Sequence, residues 1–160
     1  MEYQLNINHK FVAESEEEAK EKAKEYLTNN LKVQALPDGV YSPLEIAEQC
    51  RDFRKADKEH FCVFFLNTQN RIIGREIVSI GTLNTSLIHP RECFRTAILK
   101  TCAAVIFAHN HPSGSLEPSD EDIAVTKRLK DAGKLIGIEV LDHVIVTAEG
   151  YKSLKEQNLF

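Results

Sequence analysis

Two histidines one residue apart, His109 and His111, and an aspartate separated from them by ten residues, Asp122, are the side chains here best suited to holding a metal ion. They follow Ala103-Ala104-Val105-Ile106-Phe107-Ala108, a run of strand length that is apolar on both faces, as expected of a central strand covered on each side. Side chains alternate along a strand, so His109 and His111 share a face if extended geometry continues through them. The chain then turns through Pro112, Gly114 and Pro118, and a helix should open at Pro118-Ser119. On that helix Asp122, Val125, Leu129 and Ala132 are spaced three, four and three residues apart. They form one apolar face, which points Asp122 inward and leaves Asp120 and Glu121 off the stripe. Two imidazoles and a carboxylate are the three-ligand pattern of a catalytic zinc, whose fourth position holds water, and zinc lowers the pKa of that water. Each part alone has a simpler reading. A His-x-His pair is often two ordinary histidines, and Ser119-x-x-Asp122 is a helix cap that needs no metal. The combination favours the metal.

The elements that must position these residues can be read along the chain. Tyr3 to Ala13 partly alternates and suggests a strand. Ser15-Glu16-Glu17-Glu18 is a capping box opening a helix to about Leu27, with Asn29-Asn30 to end it and a turn at Leu36-Pro37-Asp38-Gly39. That turn divides a strand-helix extension, residues 1–40, from a main domain, residues 41–160. Ser42-Pro43-Leu44-Glu45 is a second capping box, with a helix expected to about Ala56. Phe61 to Leu66 and Arg71 to Ile80 read as a hairpin around Asn67-Thr68-Gln69-Asn70. A helix should follow His89-Pro90-Arg91-Glu92, Gly133 suits the position after the end of the helix that carries Asp122, and a last strand spans about Ile138 to Thr147. Interleaved helices and strands place the fold in the α/β (α+β) class.

The 160 residues are 42% apolar and 28% charged, which supports a folded core. The net charge is −4, and residues 1–30 carry −3 of it. That balance does not describe a strongly basic nucleic-acid binder. No apolar run reaches the length of a membrane span, and the N-terminus lacks the pattern of a signal peptide. Four cysteines, Cys50, Cys62, Cys93 and Cys102, form no Cys-x-x-Cys pair. Two disulfides are arithmetically open to them, but buried reduced thiols in a cytoplasmic protein are the simpler expectation.

The spacing His109-x-His111, ten residues, Asp122, with Ser119 three before the aspartate, resembles the JAMM motif of the MPN/JAB metalloprotease superfamily. The longer string His109-Asn110-His111-Pro112-Ser113-Gly114, with Pro118-Ser119 and Thr126 downstream, resembles the RadC branch of bacterial proteins. So do Gly81-Thr82-Leu83-Asn84, His89-Pro90-Arg91-Glu92 and Leu141-Asp142-His143-Val144-Ile145-Val146. The resemblance covers about residues 42–160. It implies a JAB/MPN fold with a mixed sheet flanked by helices, one catalytic Zn2+ held by His109, His111 and Asp122, and hydrolysis of peptide or isopeptide bonds. It also implies that Ser119 donates a hydrogen bond near the metal-bound water. The RadC name is associated with DNA repair, a role these residues do not display. Full-length RadC proteins carry an N-terminal helix-hairpin-helix region, whereas the first 40 residues here are acidic, so direct DNA binding is not expected.

The resemblance further calls for a catalytic glutamate upstream of the histidines, to move protons between water and the leaving amine. Glu59, in Lys58-Glu59-His60-Phe61, sits at the family position and shares strand parity with Phe61, Val63 and Phe65. Glu76 is the rival, sharing a face with Ile72, Val78 and Ile80. A solvated strand-end acid is the simpler reading of Glu59. His143 reads as a satisfied core histidine or an Asp142–His143 pair rather than a second metal site. His60 and His89 lack partners at ligand spacing, Arg91 and Glu92 read as cap residues, and Ser113 as a turn residue or a pocket donor. Lys127, Arg128 and Lys130 read as a solvated helix face. The expectation is a cytoplasmic zinc hydrolase acting on protein or peptide, with no membrane partner. The alternatives are a non-catalytic JAB scaffold and a DNA-repair-associated factor.

Overall fold

Long apolar runs that cannot stay in water dictate where the sheet lies. The computed structural model describes residues 2–6, 9–12, 15, 17–22, 41–81 and 88–160. The chain divides into two compact units, Met1–Gln34 and Ala35–Phe160. In the first, β1 (Glu2–Asn6) and β2 (His9–Val12) pair antiparallel, with Tyr3 opposite Phe11. The segment expected to be one strand is thus two, which satisfy each other's backbone groups where a lone strand would leave them open. Residues 17–22 are helical, and the Ser15 hydroxyl accepts the Glu18 N–H at 3.2 Å. The helix end expected near Leu27 and the turn at Leu36-Pro37-Asp38-Gly39 lie outside the described residues.

The second unit contains α1 (Pro43–Gln49), β3 (Glu59–Leu66), β4 (Ile72–Gly81), α2 (Pro90–Leu99), β5 (Ala104–Asn110), α3 (Asp120–Ile136), β6 (Glu139–Val146) and β7 (Tyr151–Ser153). The sheet order is β4-β3-β5-β6-β7, parallel only between β5 and β6, so the sheet is mixed and β5 is its central strand. Every residue of β5 is buried, as its two-faced apolar sequence requires. One face presents Phe61, Val63, Phe65, Val105 and Phe107 to Phe94 and Ala97 of α2 and to Val125 and Leu129 of α3. The other presents Cys62, Phe64, Leu66, Ile106 and Ala108 to Ile46 and Ala47 of α1 and to Phe53. Fully burying each of the large side chains contributes about 1.5–3 kcal/mol.

Three features differ from those expected, and each difference has a tertiary cause. Helix α1 stops at Gln49, not near Ala56. Beyond it Phe53 turns into the core and stacks on His60, and Arg75 from β4 lies over the Phe53 ring and forks onto Asp52 at 3.1 and 2.8 Å. Helix α3 runs past Gly133 to Ile136, and the left-handed residue that ends it is Gly137, with φ 76°. Gly133 serves instead at a close approach, because a Cβ there would stand 2.5 Å from the Ile138 carbonyl oxygen. Strand β4 carries two register shifts against β3, between Phe61 and Cys62 and between Phe65 and Leu66. Such bulges break the period-two pattern, so Ile72 packs on the α1 side while Ile73 and Val78 pack on the α2–α3 side. Glu76, opposite Val63, therefore lies on the α2–α3 side with Val78, whereas Ile72 lies on the other. Strand β7, absent from the sequence reading, closes the sheet edge beside β6.

Candidate metal centre

His109 lies one residue before the end of the buried strand β5, and alternation brings His111 to the same face one step beyond the strand. That face is the one covered by α3. The first turn of α3 places Asp122 above the histidines because Asp122, Val125 and Leu129 form its buried stripe. Ser119 fixes this start through a reciprocal capping box. Its hydroxyl accepts the Asp122 N–H at 3.1 Å, and its own N–H donates to Asp122 Oδ2 at 2.8 Å. Asp120 and Glu121 are exposed, as their positions off the stripe require.

The three donor groups converge, with ligand atoms of His109, His111 and Asp122 all within 4.8 Å of one another. The two Nε2 atoms are 2.9 Å apart, and they stand 3.2 and 3.3 Å from the Asp122 carboxylate oxygens. Donors about 2.0–2.1 Å from a tetrahedral zinc would be about 3.3–3.4 Å from each other, so the set fits such an ion after small adjustments. The tautomers fit as well. His111 Nδ1 lies 2.7 Å from the Ser115 carbonyl, which can only accept, so the proton sits on Nδ1 and Nε2 offers its lone pair to the site. Burial disfavours the charged form of Asp122, but the neighbouring His109 and His111 imidazoles and the Ser119 N–H outweigh it and hold the carboxyl well below the usual carboxylate range. The Asp122 hydrogen bond raises the pKa of His111 against the opposing effect of burial, and the Glu59 charge adds to the rise.

Glu59 and Ser119 lie at the same place. Both line a cleft of ≈ 270 Å³ together with His111, Ser113, Ser115, Glu117, Glu121 and Asp122. The antiparallel register that pairs Phe61 with His109, carried two residues further, sets Glu59 opposite His111 on the metal-facing side. Glu76 is elsewhere. It pairs with Val63, four residues and thus roughly 13 Å along β3 from Glu59, and its carboxylate accepts from Thr96 of α2 and pairs with Arg95. A larger hollow of ≈ 680 Å³ lies at the opposite end of the β5–β6 pair, beside Lys130, Lys134 and Phe160, and contains none of the metal-facing groups.

The remaining candidates fall where packing explains them. His60 stacks on Phe53 and bonds the Lys58 carbonyl at 2.9 Å. His89 is the N-cap residue of α2, and Arg91 pairs with Glu92 at its first turn. Ser113 accepts the Ser115 N–H at 3.4 Å while lining the cleft. Lys127 and Arg128 are exposed, and Lys130 lies 5.0 Å from the Phe160 ring centroid. The four cysteines are free and buried.

Two residues escaped the sequence reading as parts of the site. Asn110, between the histidines, faces the other side of the sheet and is fully buried. Its Oδ1 accepts the His60 N–H at 2.6 Å and its Nδ2 donates to the Lys58 carbonyl at 3.0 Å, so it clamps the backbone on both sides of Glu59. A polar residue buried between two candidate ligands was the available signal. His143 touches His109 directly, with Nε2 2.8 Å from His109 Nδ1. It makes no side-chain pair with Asp142, which faces away and accepts from the His143 N–H, the Ser153 hydroxyl and the Lys155 N–H. Burial lowers the pKa of His143 well below that of a free histidine, and the neighbouring His109 adds to the effect.

Residues 40–159 match the family model described as the RadC-like JAB domain. A UPF0758 protein of Desulforamulus reducens is 53% identical over 108 residues, 68% of this chain and 48% of that protein. One from Desulfitobacterium hafniense is 50% identical over 121 residues, 75% of this chain and 53% of its own length. One from Rubrobacter xylanophilus is 57% identical over 103 residues, 64% of this chain and 45% of its own. The chain spans about half the length of the curated relatives it matches.

Proposed function

The chain belongs to the RadC-like JAB domain family, and we propose that it is a zinc-dependent hydrolase of peptide or isopeptide bonds. The observation that carries this reading is the convergence of two imidazole Nε2 atoms and a carboxylate within 4.8 Å, at a cleft that Glu59 and Ser119 also line. His109, His111 and Asp122 would hold the ion. Bound zinc supplies a nucleophile at neutral pH and polarises the scissile carbonyl. Glu59 accepts the proton that the attacking water loses and returns it to the leaving amine. The Ser119 hydroxyl accepts the cap hydrogen bond through a lone pair, so its proton is available to the oxyanion that forms on the substrate. Glu117 and Glu121 at the rim disfavour a phosphate backbone and suit a protein or peptide substrate. In this reading residues 41–160 are the catalytic domain and residues 1–40 an accessory extension. The reduced, buried thiols suit a cytoplasmic setting. Among the described residues no helix is long and apolar enough to cross a membrane.

The test is zinc content together with cleavage of a panel of peptides and isopeptide-linked substrates. The unmodified protein should bind about one zinc and cleave at least one class. Glu59→Gln should keep zinc and lose at least ~10²-fold in rate, the scale of a positioned acid–base group. Glu76→Gln should leave both nearly unchanged, and His109→Ala should lose both. A protein that binds zinc yet cleaves nothing, or whose rate is indifferent to Glu59→Gln, would be a scaffold or use another mechanism.

A further inference from the structure

We propose that His143, held by Thr126, is a positioning residue for the metal centre: it locks His109 in the tautomer that presents a free Nε2 to the ion. The inference rests on the zinc-binding reading above and assigns a role to two side chains outside the ligand set. Three contacts form a chain beneath the ligands. His109 Nδ1 is 2.8 Å from His143 Nε2, His143 Nδ1 is 2.5 Å from Thr126 Oγ1, and Thr126 Oγ1 is 2.6 Å from the Asp122 backbone carbonyl.

Counting donors leaves one consistent arrangement for neutral rings. The Asp122 carbonyl only accepts, so the single Thr126 hydroxyl proton points to it. Thr126 Oγ1 then accepts, and the proton between it and His143 belongs to His143 Nδ1. A neutral imidazole protonated on Nδ1 has a lone pair on Nε2, so His143 accepts from His109. The His109 proton is therefore on Nδ1, and its Nε2 is left for the metal. In the opposite tautomer His109 would carry a proton where the ion must sit.

The surroundings favour this assignment over a merely space-filling histidine. His109, Thr126 and His143 are all at most 1% exposed. The rings of Phe61 and Phe107 stand nearly perpendicular to His143 with ring centroids 5.4 and 6.1 Å away, and both rings are apolar. The chain starts at one ligand and closes on the backbone of another, so it couples the orientation of the β5 ligand to that of the α3 ligand. Ligand histidines are commonly oriented through their second ring nitrogen, and loss of such a partner costs about 10–100-fold in metal affinity.

The experiment measures zinc affinity by competition with a chelating indicator, and the His109 tautomer by proton–nitrogen NMR of the imidazole, in the full chain. His143→Leu removes the acceptor and should weaken zinc binding at least tenfold and lose the signature of Nδ1–H with ligated Nε2. His143→Gln brings an amide oxygen near the Nε2 position and should restore affinity to within about threefold of the unmodified protein. Thr126→Val keeps the shape of the side chain and should weaken binding severalfold, because His143 is then free to change tautomer; it also serves if His143→Leu does not fold. If folded His143→Leu or Thr126→Val binds zinc within twofold of the unmodified protein and His109 keeps its tautomer, the positioning role is wrong while the zinc reading stands. If the unmodified protein itself takes up no zinc, both fall.

Discussion

Ser119 has two roles that one substitution can separate. Its hydroxyl caps α3 by accepting the Asp122 N–H at 3.1 Å, and Ser119 also lines the cleft that Glu59 lines. Ser119→Ala removes the cap bond, a loss of about 1 kcal/mol, and should lower the melting temperature by roughly 2–4 °C for a chain of this size. A native state only ~5 kcal/mol below the unfolded chain would still be more than 99% folded after that loss. Reduced stability therefore cannot by itself lower the rate appreciably at 25 °C. The Ser119 N–H bond to Asp122 Oδ2 comes from the backbone and survives, so zinc content should stay the same. Loss of an oxyanion donor should reduce kcat by about 10²-fold or more. Ser42 provides the matched control, since its hydroxyl caps α1 by accepting the Glu45 N–H at 3.2 Å and takes no part in the cleft. Ser42→Ala should show a similar thermal shift with an unchanged rate. Melting curves, zinc analysis and single-substrate kinetics on the two variants decide the matter. Equal rates for Ser119→Ala and Ser42→Ala would refute the oxyanion role and leave Ser119 a cap alone.

Gly133→Ala puts a Cβ 2.5 Å from the Ile138 carbonyl oxygen and 3.2 Å from Phe94 Cζ, so denaturant unfolding should show a loss of about 1–3 kcal/mol, the scale of overpacking; a neutral result would mean that the β6 entry shifts freely. Burial pushes the thiols of Cys62 and Cys93 up to about 12, so neither should react with a thiol reagent at pH 8 until the chain unfolds, and labelling followed by mass spectrometry checks this. Removal of zinc should lower the melting temperature without loss of the far-ultraviolet circular dichroism signal at room temperature, because both sides of the sheet carry complete apolar cores. The effect should depend on pH. In the zinc-free protein the raised His111 pKa reflects stability that is present below pH ~6.5 and is lost as pH rises through the folded value, while protons compete with zinc for the same nitrogen at low pH. The melting gap between zinc-loaded and zinc-free protein should therefore widen from pH 6 to pH 8, and a gap that narrows would contradict the assignment of His111 as a ligand.

Local rules are enough for the parts of this molecule that depend on a single element. Period two puts His109 and His111 on one side of a strand, and period 3.6 puts Asp122 on the buried stripe of a helix, whatever the rest of the chain does. The caps at Ser42 and Ser119 are local for the same reason: each hydroxyl bonds an N–H three residues away. Glu59 and Glu76 are different, since both alternate acceptably within their own strands. Only the antiparallel register of β3 with β5, and the bulges in β4, set Glu59 at the cleft and send Glu76 to Thr96 and Arg95. Gly133 and Gly137 both suit a helix end by residue type; Gly137 is the one that takes the left-handed conformation, while Gly133 leaves room for the close approach of the Ile138 carbonyl. Asn110, Thr126 and His143 lie beyond any local rule, because Asn110 reaches residues 50 to 54 positions away around the start of β3, and His143 reaches Thr126 and His109 17 and 34 positions away, contacts made only when β3, β5, α3 and β6 pack together. Spacing along the chain decides which side chains share a face. Which faces meet is decided by sheet register and the burial of apolar surface, and these are properties of the whole folded chain.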